Sequence, residues 1–469
     1  MAGLLTALNA GKTSLVTNQK SIEIVGNNIA NVNTPGYSRQ RAELSQIPAV
    51  NFGDFFVGQG VTVSDVNRDY DVFINRQLQE KSIALGEESG KSTPLTELER
   101  VFNVSEDNLA GEINKFFDAW QQLTTNPSGR VERDMVLQRG QLMGDAFRST
   151  YDELENIRNN INNKIVSNIN NLNEKISEVA KLNDRIYQVE ISGQSANAAR
   201  DQRDLLVEDL SKSLGVQTYT DNRGMLAVQL PGGTPVVQGN HAMTLSTVAN
   251  GSDVNLQITI GGVTKDVAPR EMGGEFKGMF DTRDSFIAGL RNDLDTLAVE
   301  LTDSVNTEHV NGWYTDPATG LPATGQIFFD DLTALPPGTP PSRHINVALP
   351  DSRYLAAAGQ NTAAPGDNEN ALTIAGLETT YLVGGTDTFE NFFAKIVSTV
   401  GIESSRNQLA LKGAEDTTVQ LHNLRDGFSG VSLEEEMIDL IQFQRGFESS
   451  AKFLSTIDEM MNSLLQLKR

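Results

Sequence analysis

Apolar side chains recur at every seventh position near both extremes of the chain. Over Val431 to Leu467 the series is Leu433, Leu440, Phe447, Leu454 and Met461, with Met437, Ala451 and Leu465 four places later in the same stripe. Over residues 1–33 one series is Leu8, Leu15, Ile22 and Ile29, beside Leu4, Gly11, Asn18, Val25 and Val32. A seven-residue repeat predicts an α-helix that needs a partner helix along one side. Ser432 and Glu435 stand at capping-box spacing, and Glu434, Glu435 and Glu436 occupy the helix start, where the dipole favours negative charge. Lys468 and Arg469 sit at the end that favours positive charge. A helix of this length spans roughly 55 Å at about 1.5 Å per residue. Asn33-Thr34-Pro35-Gly36 stops the first helix, because the residue before proline resists the helical region. The stripes also hold Asn18, Gln444 and Asp458; polar seam residues fix register or partner while weakening the pair. Two matching helices at opposite ends predict a terminal coiled-coil layer. Leu4, Leu8, Leu15, Ile22, Val25, Ile29, Leu433, Met437, Leu440, Phe447, Leu454, Met461 and Leu465 are its expected assembly seam toward other copies. No other element is expected to flank these helices.

Between the ends the pattern alternates. Val61 and Val63 lie between Gly58-Gln59-Gly60 and Asp65 and predict a short hairpin. Helical spacing resumes near Asp71. Leu109, Ile113, Phe116, Phe117, Trp120 and Leu123 form one helical face that stops at Asn126-Pro127. The strongest internal helix is expected over about Tyr151 to Ile191, with Ile165, Leu172, Val179 and Ile186 seven apart. Another is expected over Ala199 to Leu214, ending at Gly215. From Val216 turn signals crowd in, separated by alternating runs such as Val254 to Ile260, and predict β-structure. Helix returns over Phe280 to Val310 and again from Thr386. The Pro- and Gly-rich stretch 313–385 is expected to complete the β region. The expected fold is multidomain and mainly α with inserted β. Residues 1–33 and 431–469 form the terminal coiled coil. Residues 34–215, 276–312 and 386–430 form a helical-bundle middle domain, and 216–275 with 313–385 an outer β-rich domain.

Composition narrows the function. Among 469 residues the formal net charge is −23, which opposes nucleic-acid backbones and anionic membranes. There is no Cys, so disulfides, thiolate metal sites and cysteine nucleophiles are excluded. No apolar run reaches membrane-spanning length, and Asn9, Lys12, Asn18 and Lys20 interrupt any signal-peptide core. Gly11-Lys12-Thr13 resembles the end of a phosphate loop, but Thr6 stands where the first Gly is required. His241, His309, His344 and His422 have no metal-ligand spacing and read as surface or packing residues. Asp65, Asn67 and Asp69 lack the Gly and closing Glu of a calcium loop. No catalytic residue, metal ligand or cofactor site is expected.

The run Asn27-Asn28-Ile29-Ala30-Asn31-Val32-Asn33-Thr34-Pro35-Gly36-Tyr37-Ser38-Arg39-Gln40 resembles the N-terminal signature of bacterial flagellar rod, hook and hook-associated proteins. Its Tyr-Ser-Arg-Gln ending resembles the hook-associated protein 1 family of the hook–filament junction. Gly58 to Val63 with Arg68, Phe116 to Trp120, Asp201-Gln202-Arg203-Asp204 and Gly430 to Met437 are similar to further blocks of that family. Asn28, Asn31, Thr34, Pro35, Gly36, Tyr37 and Ser38 carry the motif, and the Asn amides are expected to bond to adjacent subunits or to the loop after Pro35. The resemblance implies a secreted structural subunit without catalysis or membrane insertion. Its implied partners are copies of itself, the hook protein, the second hook–filament junction protein, and an export chaperone with the type III export apparatus. A hook or distal-rod subunit is the alternative within that class. A secreted glycan-acting enzyme or adhesin anchored by its terminal helices is the alternative outside it.

Overall fold

The computed structural model describes residues 2–51, 56–102 and 108–467. Lys468 and Arg469 lie outside the described residues. Helix α1 spans Ala2–Ala30 and α10 spans Leu433–Leu467, and they pack against each other along their length. After α1 the chain makes an antiparallel arm. Gln40–Gln46 pairs with Val61–Arg68, with a bulge between Glu43 and Leu44, so the arm is longer than the short hairpin the sequence predicts. A two-residue ladder, Val50–Asn51 with Phe56–Val57, lies toward its tip.

Asp71 then caps α2 (Val72–Val101), its carboxylate accepting from the amides of Phe73 and Ile74. Helix α3 (Leu109–Thr125) buries all six apolar residues that its spacing marks. Helix α4 runs Arg130–Ile191, 62 residues or about 90 Å. Its start precedes the expected one, and the added stretch holds two poor helix formers, Gly140 and Gly144, as contact points. Gly140 lies under Phe328 and Gly144 under the Ile345 backbone. Helix α5 covers Asn197–Leu214 and ends at Gly215, whose φ of 70° closes the helix.

A four-stranded meander (Gln217–Thr220, Leu226–Gln229, Pro235–Gln238, His241–Ala242) and a three-stranded one (Thr244–Asn250, Asp253–Ile260, Val263–Val267) follow. Both lie along α4 and share its core. Helix α6 (Gly274–Asp281) passes through a π-helical turn at Thr282–Ile287 into α7 (Ala288–Asn311). Gly86 and Gly90 let α2 approach the backbones of Lys212 and Glu275 so closely that neither position has room for a Cβ.

Residues 313–385 do not form the strands expected of them. They contain two three-residue strands, 3-10 turns and the short helix α8 (Glu369–Gly376). Instead they wrap the end of the helical body. Phe328, Phe329, Ile345 and Leu355 enter its core, and the Phe328 ring lies 5.8 Å from Trp120 and 5.6 Å from Phe116. Turn density read as β because Pro and Gly mark loops and hairpins alike; the long-range aromatic contacts decide between them. Helix α9 (Phe389–Ser429) returns antiparallel to α2 and leads to α10.

His309 is fully buried in this core. Its Nδ1 is 2.5 Å from the Gln326 carbonyl, and its Nε2 accepts the Ala356 amide at 3.0 Å. Those two bonds require the neutral ring with the proton on Nδ1. Burial, with Arg133 nearby, lowers its pKa from 6.5 to about 4. Between those values the unfolded chain binds a proton that the folded chain refuses. The stabilisation is complete above the unfolded value and is lost as pH falls, by about 3 kcal/mol in all. Urea denaturation at pH 7 and pH 4 is expected to show this loss beyond that of His309→Gln; equal losses in both proteins would contradict it.

Candidate functional site: the terminal helix pair and its clasp

Helices α1 and α10 run antiparallel. Gly11 faces Leu454, Ser14 Oγ lies 2.9 Å from Ser450 Oγ, Asn18 abuts Gly446, and Asn28 reaches Glu436. These contacts place positions 11, 14, 18, 21, 25 and 28 of α1 at the seam. They face 436, 446, 450 and 454 of α10, with half-buried Phe443 and buried Ile457 on the same stripe. The seam is built of small and polar residues, which lets the backbones approach. A Cβ at Gly11 would stand 2.8 Å from the Leu454 side chain, and one at Gly446 2.6 Å from Asn18 Oδ1.

The residues predicted as the seam are placed differently from one another. Val25 is buried at the α1–α10 contact. Leu4, Leu8, Leu15, Ile22, Ile29, Leu440, Phe447, Leu454 and Met461 are half-buried beside it. Leu433, Met437 and Leu465 are 48%, 49% and 59% exposed. On α10 the most covered heptad is therefore Glu436, Ser450 and Ile457, all buried, with half-buried Phe443 between them, three places from the Leu433 series rather than four. Among the described apolar residues of both helices, Val25 and Ile457 alone are fully buried.

The arm, which the sequence did not place against α1, lies on one side of it. Thr13 and Thr17 hydroxyls donate to the carbonyls of Gln59 and Val61 at 3.3 and 3.0 Å. Gly60, at φ 98°, touches Ala10, a backbone shape and proximity that only Gly accommodates.

Where the arm leaves α1, a polar clasp ties both ends to the body. Asn28 uses its whole amide. Its Oδ1 accepts from Tyr37 Oη at 2.9 Å and the Gln40 amide at 3.0 Å; its Nδ2 donates to the Gln40 carbonyl at 2.9 Å and Glu436 Oε2 at 3.0 Å. These bonds lie within the chain, to the loop after Pro35 and to α10. Asn31 bonds back to Asn27 and accepts from Thr34, closing the turn that Pro35 and Gly36 continue. Burial, then the carboxylates of Asp201 and Glu436, pushes the Tyr37 phenol up to about 12, so it stays a donor.

Arg39 is the charged centre. Its guanidinium meets Glu435 and Glu436 at 2.5 Å each and Asp439 at 3.2 Å, all on the first turns of α10. Its own amide donates to the Ser429 carbonyl at 2.8 Å. Burial pulls the guanidinium pKa down, but Glu435 and Glu436 outweigh it and hold it raised. Ser38 donates its amide and hydroxyl to Asp201 at 3.0 and 2.8 Å. Arg68 bridges Asp201 and Asp204 on α5 at 2.6 and 2.8 Å and stacks on Tyr70 at 4.1 Å.

The clasp residues Arg39, Arg68, Asp201 and Glu436 were visible only as motif letters or as helix-dipole charges. The usable signal was charge: an arginine just past a turn, and three consecutive glutamates at a helix start 395 residues later. Among the described residues no helix is long and apolar enough to cross a membrane, and no group of three or more acidic or His side chains could hold a metal. The site joins helices.

Both ends define the class. Residues 8–37 match the flagella basal body rod protein family, and 427–467 match the C-terminal family of flagellar basal body rod FlgEFG proteins. Residues 95–329, half of the chain, match the helical domain of flagellar hook-associated protein FlgK, and the chain belongs to that family. It is 27% identical to flagellar hook-associated protein 1 of Bacillus subtilis, over 99% of this chain and 98% of that one. It is 25% identical to the protein of the same name from Salmonella typhimurium, over 98% and 99%. The fold is similar to the flagellar hook junction protein FlgK from Burkholderia pseudomallei. That match has a TM-score of 0.63 at 16% identity and covers 76% of this chain and all of the other.

Proposed function

We propose that this chain is a structural subunit of the bacterial flagellum that joins hook to filament by self-assembly through its terminal helices. Its full-length likeness to proteins named flagellar hook-associated protein 1 supports the location. One structural observation carries the assembly reading: the terminal helices bury almost none of their apolar residues within one chain, while the body is densely packed around Trp120 and the phenylalanines. Apolar helix faces left open in a single molecule are satisfied by neighbours. The partners on this reading are other copies, the hook protein below, the second junction protein above, and before assembly a chaperone and the type III export apparatus.

Ile22→Asp or Leu440→Asp is expected to leave the body's unfolding free energy within about 0.5 kcal/mol of the parent while abolishing recovery of the protein on isolated flagella. Loss of the whole fold, or normal recovery at the hook–filament boundary, would contradict the proposal. Immunolabelling along the hook or on the rod would favour the other flagellar subunit types.

A further inference from the structure

The two sides of the terminal helix pair differ. One side carries the arm, through Thr13, Thr17 and Gly60. The other side is bare. On α1 the residues one step past the seam on that side are Leu15, Ile22 and Ile29; on α10 they are Leu440 and Phe447, with Leu454 closing the row against Gly11 at the seam. In an antiparallel pair both rows fall on the same side, because reversing one helix reverses the sense in which its residues advance. The rows form one half-covered apolar ribbon, continuous with the α1–α10 seam and opposite the arm. The arm in turn holds apolar side chains that its own helix leaves open: Leu44 is 49%, Val50 41% and Phe56 73% exposed.

Resting on the assembly reading above, we infer that this ribbon is the seat for the arm of a second copy. A β-arm fits along such a helix pair, since each chain already holds its own arm against α1. The two surfaces lie on opposite sides of the pair, so the contact is heterologous. It joins unlike surfaces and propagates into a ring or helix, whereas ribbon against ribbon would stop at a dimer.

The chain has no cysteine, which makes cross-linking clean. Flagella carrying Ile22→Cys with Val50→Cys are oxidised with a copper catalyst and resolved without reductant; Leu440→Cys with Phe56→Cys provides a second pair should the first disturb folding. The expected result is a covalent ladder extending beyond dimers for the double variants, and monomer for Ile22→Cys alone. Dimers from Ile22→Cys alone would show ribbon facing ribbon and overturn the inference. Monomer from both double variants, with the protein present in the flagella, would overturn it while leaving the assembly reading intact. Absence of the parent protein from flagella would overturn both.

Discussion

Arg39→Ala is expected to free the terminal helix pair from the body without unfolding the body. Arg39 and Glu436 are both buried, and the arginine is the counter-charge for three carboxylates on α10. Removing one member of a buried ion pair costs about 3–5 kcal/mol, mostly because the remaining charge is stranded. The exposed Glu435 and Asp439 recover solvation and contribute little. Glu436 cannot, because Asn28 and the seam enclose it. The cost therefore falls on docking of the ends. Amide exchange in α1 and α10 is expected to accelerate by two orders of magnitude or more, about 1.4 kcal/mol per tenfold, while α3 and α4 keep their protection. Glu436→Gln retains an acceptor for Asn28 and leaves Arg39 its other carboxylates, so its effect is smaller. Uniform acceleration across the chain, or none, would contradict the clasp.

Phe328→Ala is expected to cost the body about 3–5 kcal/mol, the range for emptying a packed aromatic site. Its ring is fully buried within reach of Trp120, Phe116, Phe329 and His309, at centroid distances of 5.8, 5.6, 4.6 and 5.6 Å. It also presses on Gly140 of α4, so its loss opens a cavity where the wrapped segment meets the long helix. Phe56→Ala, on the exposed arm, is the matched control and is expected to change stability by less than about 0.5 kcal/mol. Chemical denaturation followed by circular dichroism measures both. Equal effects would show that the segment after α7 is not part of the core.

The sequence disclosed these features unevenly. The face of α3 was legible because all of its large apolar residues point one way. The family motif was legible because Asn28, Tyr37, Ser38 and Arg39 occupy fixed places around a turn. The helices at the two ends were legible, but not which stripe faces the partner. The buried positions of α1 are mostly small or polar, Thr6, Gly11, Thr17, Ser21 and Asn28 beside Val25, and those of α10 are Glu436 and Ser450 beside Ile457. Apolar periodicity passes over such residues. Their burial depends on partners over 400 residues away, as Asn28 does on Glu436. On α1 periodicity gives two series, of which Gly11, Asn18 and Val25 lie at the seam and Leu8, Leu15, Ile22 and Ile29 on the adjacent half-open face; on α10 the Leu433 series is the half-open one. Hydrophobicity thus marked the half-open face, while polar complementarity set the contact within one chain. The wrapped segment was misread for the opposite reason: its turns are local, and the phenylalanines that place it act at long range.

The most direct test of the account is a cryo-electron microscopy map of the native hook–filament junction at side-chain resolution. The ribbon side of each terminal helix pair, at Ile22 and Phe447, is expected to be covered by an adjacent subunit. A map in which those side chains face an open channel or solvent in the assembled structure would contradict it.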